Sequence, residues 1–189
     1  DKMLSFTYER RFEGHPAYTE LWGIRKSIRE MGNRMRKSSY SEREAARSRI
    51  NHLRERATEL EIQINEDLFS GARVIASTLV SSNHRILTGR RFTTLFIDEA
   101  AQALEAACWI AIRKADRVIF AGDHCQLPPT IKCIEAARNG LEQTLMEKVA
   151  ANKQETVSLL KVQYRMHQSI MQFSSEWFYQ GELQAAPEV

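Results

Sequence analysis

The sequence predicts an α/β fold, a fragment of parallel sheet joined to an antiparallel helical hairpin. Two short apolar runs, residues 95–97 and 118–121, end abruptly in acid, the first at Asp98-Glu99 and the second, past Gly122, at Asp123. Apolar runs of that length, rich in β-branched and aromatic side chains, read as strands buried in a parallel sheet. Ahead of them, residues 21–35 and 46–64 carry apolar side chains at alternating spacings of three and four, a heptad pattern that lets two helices pack along one seam.

The bulk composition sets outer bounds. At 189 residues the chain can build one good core, or one core and an appendage. Its 43% hydrophobic and 27% charged residues are those of an ordinary globular protein. No run approaches the length that spans a bilayer, and the N-terminus carries no signal-peptide core, so the expectation is no membrane partner and a cytoplasmic or nuclear location. Cys108, Cys125 and Cys133 are odd in number and lack C-x-x-C spacing, which reads as reduced thiols. A metal site from His124, Cys125 and Cys133 would need ligand spacings that zinc modules do not use. A net charge of +3 is too small to identify a nucleic-acid partner; its distribution says more.

Taken in order, residues 1–13 mix charge with Phe6, Tyr8 and Phe12 without periodicity. Pro16 suits the first position of a helix, where its missing N–H costs nothing. Leu21, Ile24, Ile28, Met31 and Met35 then form the first stripe. A polar turn over residues 37–40 follows, and Ser41 with Glu44 matches a capping box for the next helix. Its stripe is Ala46, Ile50, Leu53, Ala57, Leu60 and Ile64. From Arg25 to Arg56, eleven basic residues stand against four acidic ones. That surplus reads either as a solvated coiled-coil face or as a basic prong lying along a phosphate backbone, with Arg36 and Lys37 at its turn.

Gly71 ends the second helix, and residues 73–76 read as a first strand. Ser77 and Thr78 follow it; their hydroxyls can cap a turn or bond phosphate oxygens of a bound strand. Residues 103–113 read as a helix with Leu104, Ala107, Cys108 and Ala111 facing the core. Asn139 is placed to cap a helix over residues 141–149, ahead of a strand over residues 157–162. The helix over residues 169–179 turns Ile170, Phe173, Trp177 and Phe178 toward the core, and Gly181 stops it.

The chemistry sits at the strand ends. In open α/β sheets ligands lie at the carboxyl ends of the strands, where Asp98-Glu99 and Asp123 would meet. Two acidic ends on neighbouring strands suit a Mg-nucleotide site, one carboxylate holding the metal and another orienting or deprotonating water. The alternative is that Asp98-Glu99 caps the next helix. The amide of Gln126 can sense a terminal phosphate, with Pro128-Pro129 stiffening its support. Arg165 reads either as half of a surface salt bridge or as the guanidinium that neutralises a transition state across a cleft.

Asp98-Glu99-Ala100-Ala101, the Gly122-Asp123-x-x-Gln126-Leu127-Pro128-Pro129 string, and Gln163-Tyr164-Arg165-Met166-His167 resemble motifs II, III and IV of superfamily 1 helicases. The branch they resemble holds the nonsense-decay, senataxin and immunoglobulin-mu-binding helicases, and the likeness covers roughly residues 72–183. It implies RecA-like architecture: a stalk over residues 1–70, a first RecA-like domain over 71–156 and the start of a second over 157–189. It implies ATP and Mg²⁺ as cofactors and single-stranded DNA or RNA as partner, travelled 5′ to 3′. Asp98 would hold Mg²⁺ through water, and Glu99 would be general base. Gln126 and Arg165 would report the γ-phosphate, with Gly122, Asp123, Gln163 and Tyr164 around the nucleotide. Ser77, Thr78, Arg36 and Lys37 would touch nucleic acid.

No G-x-x-x-x-G-K-[ST] phosphate loop occurs in these residues, so the chain reads as a piece of a longer ATPase and as inactive alone. Two other functions fit the same pattern: a non-catalytic module whose hairpin binds protein, and an ATPase that remodels nucleoprotein complexes without unwinding.

Overall fold

The computed structural model describes residues 4–35 and 39–189, the side chain of Ser41 aside, and the chain divides into two compact units, Asp1–Ala76 and Ser77–Val189.

The first unit is helical: α1 over Tyr8–Glu13, α2 over Tyr18–Met35 and α3 over Tyr40–Ser70. Pro16 stands in the turn that opens α2, where His15 Nδ1 accepts the Ala17 N–H at 3.2 Å. Both stripes face the seam. Leu21 packs with Ala57, Leu60 and Ile64, joined by Phe12, Tyr18, Ile24 and Leu68. At the other end, Met31 and Met35 share a cleft with Ala46, Arg49 and Leu53, so α2 and α3 run in opposite directions. Ion pairs flank the seam, Arg25 to Glu61 at 2.7 Å and Arg56 to Glu20 at 3.0 Å. Each is half-exposed and contributes little beyond register. The seam itself is apolar, which is where the stability of a helical pair resides.

The cap of α3 differs from the expected one. Glu42, not Glu44, closes the box, accepting the Ser39 N–H at 2.8 Å and the Ser39 hydroxyl at 2.7 Å. The Ser-x-x-Glu spacing occurs twice, two residues apart, and the earlier copy starts the helix sooner. These bonds hold the Glu42 carboxyl below its ordinary range. Arg36 and Lys37 lie outside the described residues.

In the second unit, β1 (Phe92–Ile97) pairs in parallel with β2 (Ala115–Phe120), Leu95 beside Val118 and Ile97 beside Phe120. The crossover helix α4 (Glu105–Ile112) buries Cys108 and Ala111 as expected, whereas Leu104, expected on the same face, stands at the N-cap and is exposed. Single-turn α5 (Ile134–Ala136) leads toward α6 (Leu145–Asn152). Ile97, Ala100, Cys108 and Leu145 form the core, with Leu95, Val118, Phe120 and Val149 around them. A second parallel pair, β3 (Val162–Gln163) and β4 (Gln184–Ala185), flanks α7 (Gln168–Phe178). Fold class is therefore mixed α/β with two small parallel sheets.

Further expectations are corrected. Residues 73–76 form no strand; Val74 is 86% exposed, because no strand among the described residues offers the hydrogen bonds an extended segment needs. The strand over 157–162 shrinks to Val162–Gln163 for the same reason, leaving Leu160 in solvent. Asn139 caps nothing: Gly140 takes φ 95°, and the helix starts at Leu145 behind a Thr144–Glu147 capping box. On α7 the buried positions are Met171 and Ser175, while Ile170, Phe173, Trp177 and Phe178 are exposed. The turn into β4 folds over the Met171 side, with Ser175 Oγ accepting the Leu183 N–H at 3.1 Å. Phe173 and Trp177 instead stack on each other at 5.9 Å.

Because Leu60 is 1% exposed at the centre of the helical seam, Leu60→Ala should destabilise the first unit by about 2–5 kcal/mol in urea unfolding. Tyr40→Ala, at an 84% exposed site, should cost less than about 0.5 kcal/mol.

Candidate active site

Parallel pairing brings the two acidic strand ends together, and the chain keeps them joined beyond the strands. Ala121 donates its N–H to the Ile97 carbonyl at 2.8 Å, and Ala100 donates to the Ala121 carbonyl at 2.9 Å. The next residue must then pass very close to the Asp98-Glu99 turn. A Cβ on Gly122 would lie 2.9 Å from the Ala100 nitrogen and 3.0 Å from that of Ala101. Backbone cannot yield at such distances, so only glycine fits.

Glu99 adopts φ 52° and ψ 38°, the left-handed region. For a residue with a side chain this costs on the order of 1–3 kcal/mol, and such strain concentrates at functional turns. Asp98 Oδ1 steadies the turn by accepting the Glu99 N–H at 3.0 Å. The other Asp98 oxygen has no protein partner among the described residues. Among the described residues the Glu99 carboxylate meets only Gln102, Nε2 donating to Oε2 at 3.4 Å. Neither carboxylate caps α4, which begins at Glu105 behind Leu104. Two exposed carboxylates with oxygen lone pairs to spare are suitable donors for a hard cation such as Mg²⁺.

The loop after β2 is ordered around Asp123. Its Oδ1 accepts the Cys125 N–H at 3.0 Å. Its Oδ2 accepts the Gln126 amide at 2.9 Å and also the hydroxyl of Tyr179. Partial burial pushes the Asp123 carboxyl up, but the bonds from Tyr179, Gln126 and Cys125 outweigh it and hold the group below its usual value. Burial and the adjacent carboxylate drive the Tyr179 phenol well above its ordinary range. Pro129 is buried beneath this loop and Pro128 exposed. Asp123, His124 and Cys125 place donor atoms within 4.8 Å of one another, a group that does not include Cys133. Both Asp123 oxygens are already engaged, and burial raises the Cys125 thiol, so this trio is poorly prepared to take a metal.

Gln163 folds its own loop. Its Oε1 accepts the N–H groups of Arg165 at 2.8 Å and Met166 at 2.9 Å, while Nε2 donates to the Met166 carbonyl at 2.6 Å. The loop projects Tyr164, 73% exposed, and Arg165, whose guanidinium has no carboxylate partner among the described residues. His167 Nδ1 then caps α7 through the Ser169 N–H at 3.2 Å. Ser77 and Thr78 are both exposed, and Thr78 Oγ1 bonds Ser81 Oγ at 2.8 Å.

Asp98, Glu99, Gly122, Asp123 and Gln126 are therefore one cluster. Gln163, Tyr164 and Arg165 form another, at the start of the helix whose end reaches Asp123. The 11 residues of α7, about 16 Å of helix, lie in the chain between the Gln163 loop and Tyr179. Tyr179 escapes sequence reasoning. Its one signal is a phenol placed two residues before a helix-stopping glycine, a position that says nothing about its partner.

Gly122→Ala should lower stability by about 1–3 kcal/mol in thermal unfolding, since neither neighbouring nitrogen can retreat. The folded pKa of Asp123 lies below its usual 3.8, so its contribution is complete above that value and is lost as pH falls through the lower folded one. Acid unfolding of the unmodified chain should therefore show a component below about pH 4 that Asp123→Asn lacks.

A family model described as an AAA domain matches residues 8–133, and a second of the same description matches residues 141–189. The chain is 38% identical over 172 residues to the DNA-binding protein SMUBP-2 of Mesocricetus auratus, covering 88% of this chain and 17% of that relative. It is 40% identical over 123 residues to the DNA replication ATP-dependent helicase/nuclease DNA2 of Xenopus laevis, covering 65% and 12%. It is 41% identical over 118 residues to the Regulator of nonsense transcripts 1 homolog of Drosophila melanogaster, covering 62% and 10%. The chain thus spans less than a fifth of the length of each of these relatives. The two domain matches, and relatives that share the strand-end acids' segment, identify the chain as a member of the DNA2/NAM7-like branch of superfamily 1 helicases.

Proposed function

We propose that these residues form part of an ATP-dependent helicase or translocase, moving 5′ to 3′ on single-stranded DNA or RNA in the cytoplasm or nucleus. The observation that carries the reading is the join between the two strand ends, which sets Asp98 and Glu99 beside Asp123 and Gln126. Mg²⁺, when bound with ATP, supplies charge neutralisation for the phosphates.

The chain's own groups then have separate tasks. Asp98 holds the ion through water with the oxygen that Glu99 N–H leaves uncommitted. Glu99, lifted from the backbone by its left-handed turn, accepts the proton of the attacking water. Gln126 keeps one amide hydrogen to donate to a terminal phosphate while Asp123 accepts the other. Gly122 lets the loop sit close enough for this. Gln163 shapes the turn that presents Tyr164 to the base or ribose and Arg165 to the γ-phosphate. Movement of the Arg165 loop toward the Asp98-Glu99 cluster is the motion that hydrolysis would couple to movement on the strand.

The domain division proposed is a stalk over 1–70, a first RecA-like domain over 71–156 and the beginning of a second over 157–189. Ser77 and Thr78 face the nucleic-acid backbone, and Arg36 and Lys37 contribute phosphate contacts.

In the full-length protein that carries this segment, Glu99→Gln should lower kcat for ATP hydrolysis by at least about 100-fold while nucleotide affinity stays within about threefold. Near-normal turnover would remove Glu99 from its role. Binding of single-stranded nucleic acid by the 189-residue chain should weaken linearly with the logarithm of salt concentration. No binding at any salt would leave the hairpin a protein-binding element.

A further inference from the structure

Tyr179 closes α7 and is tied to it by a glycine-terminated helix end. Its N–H bonds the Ser175 carbonyl at 3.0 Å, and two residues on Gly181, at φ 75°, bonds the same carbonyl at 2.9 Å. The ring lies edge-on to Phe178 at 6.3 Å. From that fixed base the hydroxyl reaches Asp123, 56 residues away in sequence. A second link lies alongside, with Cys125 Sγ donating to the Phe178 carbonyl at 3.8 Å. The last turn of α7 and the loop after β2 are thus fastened at two adjacent points.

The chemistry of the shared acceptor gives this a consequence. Asp123 Oδ2 takes the Tyr179 O–H and the Gln126 amide together. A carboxylate turns freely about its last bond unless both oxygens are engaged from fixed directions. The Cys125 N–H fixes Oδ1, and the phenol fixes Oδ2. Only then does Gln126 have a stationary acceptor.

We infer that Tyr179 is a positioning residue for Gln126, acting through the Asp123 carboxylate that both donate to. The inference rests on the proposed role of Gln126 toward the terminal phosphate. It gives α7 two functional ends, Arg165 just before its start and Tyr179 just after its close. Movement of the helix on nucleotide loss would then be felt by both phosphate-facing groups. The depressed Asp123 carboxyl and the raised phenol are what this bond requires.

The test uses steady-state ATP hydrolysis by the full-length protein, comparing Tyr179→Phe, Asp123→Asn and the double variant. Phenylalanine keeps the ring packing and removes only the hydroxyl. The expected result is a kcat lower by about 10-fold in each single variant, with KM for ATP within about threefold. The double variant should fall no more than about twofold below the worse single, because the two residues act as one unit. A Tyr179→Phe kcat within about twofold of the parent, or losses that multiply, would overturn the inference while leaving the proposed function intact. A parent with no ATP hydrolysis at all overturns both. If Tyr179→Phe does not fold, Asp123→Asn decides: an unchanged kcat is incompatible with the relay, and a loss in kcat at constant KM supports it.

Discussion

The second unit depends on a single close approach. Two N–H···O bonds, Ala121 to Ile97 and Ala100 to Ala121, carry the parallel pairing past the end of the strands and press Gly122 against the Ala100 and Ala101 nitrogens. At such separations there is no room for a methyl group, so the sequence has one solution there. From this follow the rise of Glu99 into a left-handed turn, the outward placement of Asp98, and the position from which Asp123 gathers Gln126 and Tyr179. Backbone contact, rather than burial, sets the geometry: Asp98 and Glu99 are exposed and the loop after β2 is mostly solvated.

The first unit works by different physics. Its stability lies in the seam formed by Leu21, Ala57, Leu60 and Ile64, while basic side chains such as Arg25 and Arg56 stand beside the seam, exposed and paired with carboxylates. Arg56, for example, divides itself between Glu20 and Glu59. Such pairs exchange readily for other anions, which is what a surface meant for phosphate would need.

How much was legible in the sequence follows from where the determinants lie. The heptad stripes specified both long helices, because each apolar side chain reports one face directly. The two acid-tipped strands were legible for the same reason: a buried parallel strand is a short apolar run and little else. The other strands were not. Residues 73–76 and 157–161 are as apolar as strands, but a strand exists only beside a partner, and composition does not reveal one. Caps were readable in kind and misplaced in position, since Ser-x-x-Glu occurs twice before α3, and Thr144-x-x-Glu147 outcompetes Asn139 before α6. The face of α7 was misread because Met171 and Ser175 are covered by a turn that arrives later in the chain. Within the candidate site, residue types were visible and partners were not. That Gln163 spends its amide on its own loop, and that Asp123 meets Tyr179, are facts of three-dimensional proximity.

The central claim is that the joined strand ends make a Mg-nucleotide site with Asp98 on the metal. Electron paramagnetic resonance of Mn²⁺ in place of Mg²⁺, recorded on the full-length protein with ATP, tests it most directly. The account predicts ATP-dependent Mn²⁺ binding that Asp98→Ala weakens by about 10-fold or more. Equal Mn²⁺ affinity in the parent and in Asp98→Ala would contradict it.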